Sequence, residues 1–171
     1  MEALFHYALR PVVDIEPLLA FYRDKLKMDC KLVTVNGDEK QLYVDFFGHN
    51  LAFAENKKHE VKTAKYSADE LQRMRKENFV PDTHFGVFFQ DNGYSQFKEI
   101  IRTVESSGIK YLVHPTVCEQ GTSSEQAFFF IQDPELNIIE IRALTKQFDL
   151  NNVENNLQND KTKRNVLFSP S

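Results

Sequence analysis

The chain has 171 residues, 42% of them hydrophobic and 27% charged, which suits one globular domain with a sizeable core or two small modules that share one. A formal net charge of −4, with no basic patch interleaved with aromatics, gives no attraction for a phosphate backbone, so nucleic acid is excluded as a partner class. Apolar runs are only a few residues long, far short of the roughly 20 needed for a membrane-crossing helix.

Taken in chain order, the first expected strand is Phe5-His6-Tyr7-Ala8-Leu9. An amphipathic helix is expected over residues 15–27, with Asp14 as its N-cap, Pro17 in its first turn, and an apolar stripe of Leu18, Leu19, Phe21, Tyr22 and Leu26. Three β-rich runs follow, Cys30 to Val35, Gln41 to Phe47 and Leu51 to Ala54, separated by the turn sequences Asn36-Gly37-Asp38 and Gly48-His49-Asn50. The polar connector 56–82 exceeds an ordinary loop; within it Ser67-Ala68-Asp69-Glu70 has the capping-box pattern that opens a short helix.

The plan then repeats. His84-Phe85-Gly86-Val87-Phe88-Phe89 is a second histidine-led strand, followed by a helix over 94–107 in which Phe97, Ile100, Ile101 and Val104 recur at helical spacing before Gly108 ends it. Strands are expected at Tyr111 to His114, Ala127 to Ile131 and Ile138 to Arg142, with a turn at Asp133-Pro134. Strand, helix and three strands therefore occur twice, an internal repeat of one supersecondary unit. The divisions are module one at 1–55, the connector, module two at 83–145, and an Asn-rich tail, 146–171, read as flexible or as a partner-binding extension. Cys30 and Cys118 lie in different halves without CxxC spacing, and MEALFHYALRP has the pattern of neither a secretion signal nor a transit peptide. A reducing compartment, the cytosol, is the expectation.

Three residues carry the chemistry: His6 and His84 on the leading strand of each half, and Glu140 on the last strand. Two imidazoles and a carboxylate suit Fe(II), Mn(II), Ni(II), Zn(II) or Co(II), and three protein ligands leave positions open for a substrate's oxygens. On residue type and spacing alone, each histidine can equally be a hydrogen-bonded core residue. Glu125 and Gln126 are candidates to orient a substrate or to satisfy backbone at a loop end, and Arg142, two residues past Glu140 on the same strand face, to meet an anion or to form a rim salt bridge. His49 reads as a turn residue, His59 as part of the charged connector and His114 as a strand end.

The runs HYALRPVVDIEPLLAFYRDKL, VDFFGHNLAF, HFGVFF and EQAFFFIQDPELNIIEIRAL resemble the vicinal oxygen chelate superfamily, the glyoxalase, bleomycin-resistance and extradiol dioxygenase group, over about residues 4 to 144. The resemblance is carried most by Phe21-Tyr22-Arg23-Asp24-Lys25-Leu26, Gly48-His49-Asn50-Leu51, and Asp133-Pro134 followed by Asn137 and Glu140. It implies an α+β fold, two βαβββ modules forming a cupped mixed β-sheet around a divalent metal held by His6, His84 and Glu140. It also implies an enzyme, a lyase or dioxygenase whose small oxygen-bearing substrate chelates the metal. The choice of general base stays open between Glu125 and a metal-bound hydroxide, while Gln126 and Arg142 remain the substrate-binding candidates read from the residues themselves.

Three departures stand out. One extra residue around Arg10-Pro11 either forms a bulge or displaces His6 by one along the strand; Ala54 takes the place of a fourth ligand; and Leu136 replaces a turn glycine, so that Asn137 is expected to supply the left-handed conformation instead. The alternatives are a metal-free binding or scaffold subunit of a larger assembly and a module that sequesters a planar ligand between its Phe side chains. A homodimer is compatible with any of these.

Overall fold

The structure, a computed structural model, describes residues 8–35, 37–58, 67, 69, 70, 73, 84–90 and 93–145. Strand β1 (Ala8–Val12) leads into helix α1 (Glu16–Leu19), which continues as a π-helical segment (Ala20–Lys25). Then come β2 (Cys30–Val35), β3 (Glu39–Phe46) and β4 (His49–Glu55). Module two repeats the order with β5 (Phe85–Phe89), α2 (Tyr94–Ser106), β6 (Tyr111–Cys118), β7 (Gln126–Gln132) and β8 (Ile138–Leu144). The strand orders are β1-β4-β3-β2 and β5-β8-β7-β6. In each sheet the leading strand runs parallel to the last strand of its own module and the other pairs are antiparallel. This is the α+β architecture of two βαβββ modules with mixed sheets.

The helices begin where the sequence places them. The Asp14 carboxylate accepts the Glu16 N–H at 3.0 Å, so an orphan donor of the first turn is met, and Pro17 sits where no N–H is required. Beyond Leu19 the turns widen: Leu26 N–H reaches back five residues to Phe21 at 3.0 Å. Helix α2 closes at Gly108, which adopts φ +66°. In the connector, the capping box is formed, with Ser67 N–H on Glu70 at 2.8 Å and Glu70 N–H on the Ser67 hydroxyl at 3.2 Å.

Alternation along the strands assigns the two sheet faces. Leu42, Val44, Phe46, Leu51 and Phe53 of module one, and Phe129, Ile131, Ile139, Ile141 and Ala143 of module two, join Leu18, Phe21, Tyr22, Phe97 and Val104 of the helices in one shared core. Each large side chain there contributes about 1.5–3 kcal/mol by leaving water. The modules also meet through ring contacts, Phe46 on Phe85 at 5.5 Å and Phe47 on Phe89 at 5.1 Å. A buried polar knot reinforces the joint: the Tyr22 hydroxyl donates to Asp133 at 3.0 Å, Asn137 donates to the same carboxylate at 2.7 Å, and Arg10 donates to Asn137 at 3.3 Å. Burial pushes the Asp133 carboxyl above the usual range, against the hydrogen bonds from Asn137, Tyr22 and Glu135 that pull it down.

Two expectations are corrected. The positive φ before β8 falls on Leu136 (+62°) and not on Asn137, because Asn137 is buried and tied to Asp133 through both its backbone and its side chain. Leu136 takes the strained position while its N–H bonds to the Asp133 carbonyl at 3.0 Å. Strand β6 continues past His114 through Pro115 to Cys118, with register shifts against β7 between Tyr111 and Thr116. Proline is tolerated there because β6 is an edge strand with one side unpaired.

Candidate metal centre

Opposite the shared core, the second face of β7 and β8 carries Gln126, Phe128, Phe130, Ile138, Glu140 and Arg142. Cross-strand pairing sets these residues side by side, Phe128 with Arg142 and Phe130 with Glu140, while β5 places Gly86 against Glu140 and Phe88 against Arg142. His84 lies two residues before Gly86 and so on the same face. Its Nε2 is 3.2 Å from Glu140 Oε2, and its ring meets Phe130 edge-on at 5.2 Å.

The carboxylate is well enclosed, its side chain 14% exposed, and both of its oxygens are engaged. Arg142 donates to Oε1 through Nε at 2.9 Å and through Nη2 at 2.6 Å; its Nη1 donates to the Gln126 side-chain oxygen at 3.0 Å. The guanidinium also lies 5.2 Å from the Phe128 ring centroid. A continuous chain of contacts therefore runs Gln126, Arg142, Glu140, His84, with aromatic rings beneath it.

Of the residues named from sequence, the structure brings together His84, Glu140, Arg142 and Gln126. Glu125 is placed elsewhere: its Oε2 accepts the Gly121 N–H and its Oε1 the Thr145 hydroxyl, both at 2.6 Å, so its carboxylate holds the loop that enters β7. His6 and His59 lie outside the described residues. His49 is exposed at the start of β4, in register with Phe46, and His114 stacks against Tyr111 at 5.1 Å. Ala54, at the position of a possible fourth ligand, pairs with Pro11 and Gln41 and supplies no donor. Gly86 was missed as a site residue. A Cβ there would run into the Glu140 carbonyl oxygen and stand 2.7 Å from its Cβ, so glycine is what lets β5 approach β8 beside the carboxylate. A glycine inside a strand pattern was the available signal.

The donor chemistry can be tested against a divalent ion. With bonds of about 2.1 Å, two ligands on one ion stand about 3.0 Å apart at a right angle and about 3.4 Å apart at a tetrahedral angle. The 3.2 Å between His84 Nε2 and Glu140 Oε2 lies between these, and a neutral imidazole beside a carboxylate is a donor pair such ions accept. The same spacing is that of a hydrogen-bonded imidazole and carboxylate, so two donors beside the Arg142 guanidinium do not by themselves make a complete metal site. Among the described residues, no group of three or more His, Cys, Asp or Glu side chains forms.

Solved structures share this arrangement of elements. A glyoxalase/bleomycin resistance protein/dioxygenase from Alicyclobacillus acidocaldarius superposes with a TM-score of 0.57 at 23% identity, covering 82% of this chain and 90% of that one. The chain has the fold of this glyoxalase/bleomycin resistance protein/dioxygenase. The same fold is matched by the fosfomycin resistance protein FosX from Listeria monocytogenes, at TM-score 0.50 and 15% identity over 85% of this chain and 95% of that one. A variant of that protein complexed with Mn(II) and a dihydroxypropylphosphonic acid matches at TM-score 0.51 and 12% identity, over 85% and 92% of the two chains. No protein-family model and no curated protein sequence matches. The contact chain from Gln126 to His84 lies on the sheet face opposite the helices, beside a second buried cluster of Leu112, Val113, Phe128, Phe130 and Ile138. Among the described residues no helix is long and apolar enough to cross a membrane.

Proposed function

We propose that this chain is a divalent-metal-dependent enzyme of the glyoxalase or dioxygenase type, acting on a small substrate that presents neighbouring oxygens to the metal, with His6, His84 and Glu140 as ligands. The observation that carries this reading is the 3.2 Å approach of His84 Nε2 to Glu140 Oε2, on the face opposite the shared core. The Mn(II) complex of the FosX variant, which has the same fold, supports a divalent ion. An ion held there supplies Lewis-acid polarisation of a substrate oxygen.

The chain's own contributions follow from the contacts. Glu140 brings a carboxylate into a partly enclosed site, where the Arg142 guanidinium on Oε1 offsets its charge and leaves Oε2 towards His84. Phe128 and Phe130 form an apolar floor under Arg142 and His84, limiting water at the ligands.

The test is elemental analysis of the purified protein after incubation with Fe(II), Mn(II), Ni(II) and Zn(II), wild type beside His84→Ala. About one ion per chain in the wild type and loss of it in the variant are expected; full retention in His84→Ala overturns the assignment.

A further inference from the structure

We infer that the joint between the modules holds a binding site for a small apolar monocarboxylate, with the Arg10 guanidinium as the group that takes its carboxylate. The site lies on the helix-facing side of the sheets, away from His84 and Glu140, and it does not rest on the metal reading above.

A cavity of about 300 Å³ opens at this joint, walled by Arg10, Phe46, Leu51 and Phe85, with the exposed His49 and Asn50 at its rim. Strand register places Arg10 there. Ala8 pairs with Leu51 and Arg10 with Phe53, both residues of the shared core, so the Arg10 side chain turns to the core side of its sheet. Phe85 packs against the same core, while the next residue, Gly86, stands opposite Glu140. Strand β5 therefore separates the cavity from the candidate metal centre.

Arg10 differs from the other cations that line up with acids in this chain. Arg23, Lys40, Arg102 and Arg142 each have a carboxylate oxygen at 2.6–2.9 Å. Arg10 has no ion pair among the described residues: its Nη1 donates to the neutral Asn137 amide oxygen at a long 3.3 Å, and its Nε is buried with no acceptor. The guanidinium lies over the Phe85 ring, 4.7 Å from its centroid. The Asp133 carboxylate is linked to it through the Asn137 amide, which donates to Asp133 at 2.7 Å.

A guanidinium keeps its proton throughout the folded range of pH, and a charge drawn out of water without a partner is costly. A carboxylate in the cavity removes that cost. With Nη1 on Asn137, the edge formed by Nε and Nη2 can donate two parallel hydrogen bonds to its two oxygens. One cation answers one negative charge, whereas a phosphate dianion needs more donors than Arg10 supplies. Two aromatic rings and a leucine suit an apolar body behind the carboxylate, and the volume, at the lower end of the small-molecule range, limits that body to about one ring.

The experiment is calorimetric titration of the full-length protein with benzoate, with benzamide and with inorganic phosphate. Wild type is compared with Arg10→Gln, Asn50→Trp and His84→Ala, each checked by thermal melting. Wild type should bind benzoate at least about 10-fold more tightly than benzamide, which has the same shape without the charge, and Arg10→Gln should weaken benzoate by about 10- to 100-fold, the usual effect of losing a charge-assisted hydrogen bond. Asn50→Trp, which sets a bulky ring at the exposed rim, should also weaken benzoate, and His84→Ala should bind it as wild type does. No benzoate binding by wild type at millimolar concentration overturns the site, as does wild-type affinity in a folded Arg10→Gln protein. Tighter binding of phosphate than of benzoate overturns the carboxylate assignment, and loss of benzoate binding in His84→Ala places the acid on the opposite face. Should Arg10→Gln fail to fold, wild-type affinity in Asn50→Trp overturns the site equally.

Discussion

The two modules treat their helix-facing and open faces differently. On the helix side they match: Leu42, Val44, Leu51 and Phe53 of module one are buried in the same core as Phe129, Ile131, Ile139 and Ile141 of module two. On the open side they part. Module two sets Glu140, Arg142 and Gln126 around His84, whereas β4 of module one offers Ala52 and Ala54, and β3 offers Gln41 and Tyr43, which hydrogen-bond each other at 2.8 Å. Packing against the helices fixes one face in both copies of the repeat, because any polar group buried there costs free energy. The second face of module two is also largely buried, around Leu112, Val113, Phe128, Phe130 and Ile138, and there the ionisable side chains are tolerated because they pair with one another.

The sharpest way to break that comparison is at His6. If module one contributes a ligand, His6→Ala should reduce metal affinity by at least about 100-fold, as is expected of His84→Ala, when both are measured by titration with Mn(II). Stoichiometric metal in His6→Ala but not in His84→Ala would confine the centre to module two.

A smaller effect is expected where the two strands of module two come closest. In Gly86→Ala the new methyl collides with the Glu140 backbone, which must separate β5 from β8. A loss of about 1–3 kcal/mol in denaturant unfolding is expected, together with weaker Mn(II) binding. Unchanged stability would mean that the strands part at no cost and that the glycine does not set the position of Glu140.

The smallest concerns the joint between the modules. Burial raises the Asp133 carboxyl, so the folded chain holds that proton more tightly than the unfolded chain does. Stability is then greatest below the unfolded carboxylate pKa and falls as pH rises through the folded value, because the native state must give up the proton at a cost. Asp133→Asn, which cannot ionise, should lack this decline, a difference on the order of 1 kcal/mol across the acid range in unfolding curves recorded at stepped pH. Parallel pH curves for the two proteins would show that the Tyr22 and Asn137 hydrogen bonds already offset the burial.

Much of the fold was legible because its signals are local. The spacing of Leu18, Leu19, Tyr22 and Leu26, the spacing of Phe97, Ile101 and Val104, and the alternation in β3 and β8 each reflect which side chains can leave water together. The ends of elements were less legible. Strand β6 runs past Pro115 because, among the described residues, it lies at the edge of its sheet, and the left-handed residue before β8 is Leu136 because Asn137 is committed to Asp133, four residues earlier. At the site, residue type and strand parity indicated Glu140, His84 and Arg142. They left open whether Arg142 would meet an anion or form a salt bridge, which it forms with Glu140, and whether Glu125 would orient a substrate or satisfy backbone at a loop end, as its carboxylate does at Gly121. Both outcomes depend on distances between side chains on different turns of the chain.

The sequence by itself determined the duplicated strand and helix plan, the buried face of each element and the donor types available to a metal, since these follow from hydrophobic periodicity and side-chain chemistry along the chain. Only the tertiary structure decided which donors meet. Pairing β5 in parallel with β8, at a spacing that Gly86 permits, brings His84 to Glu140 across more than fifty residues of sequence. Strand register and cross-strand neighbours are set by long-range pairing, which no local pattern in the chain encodes.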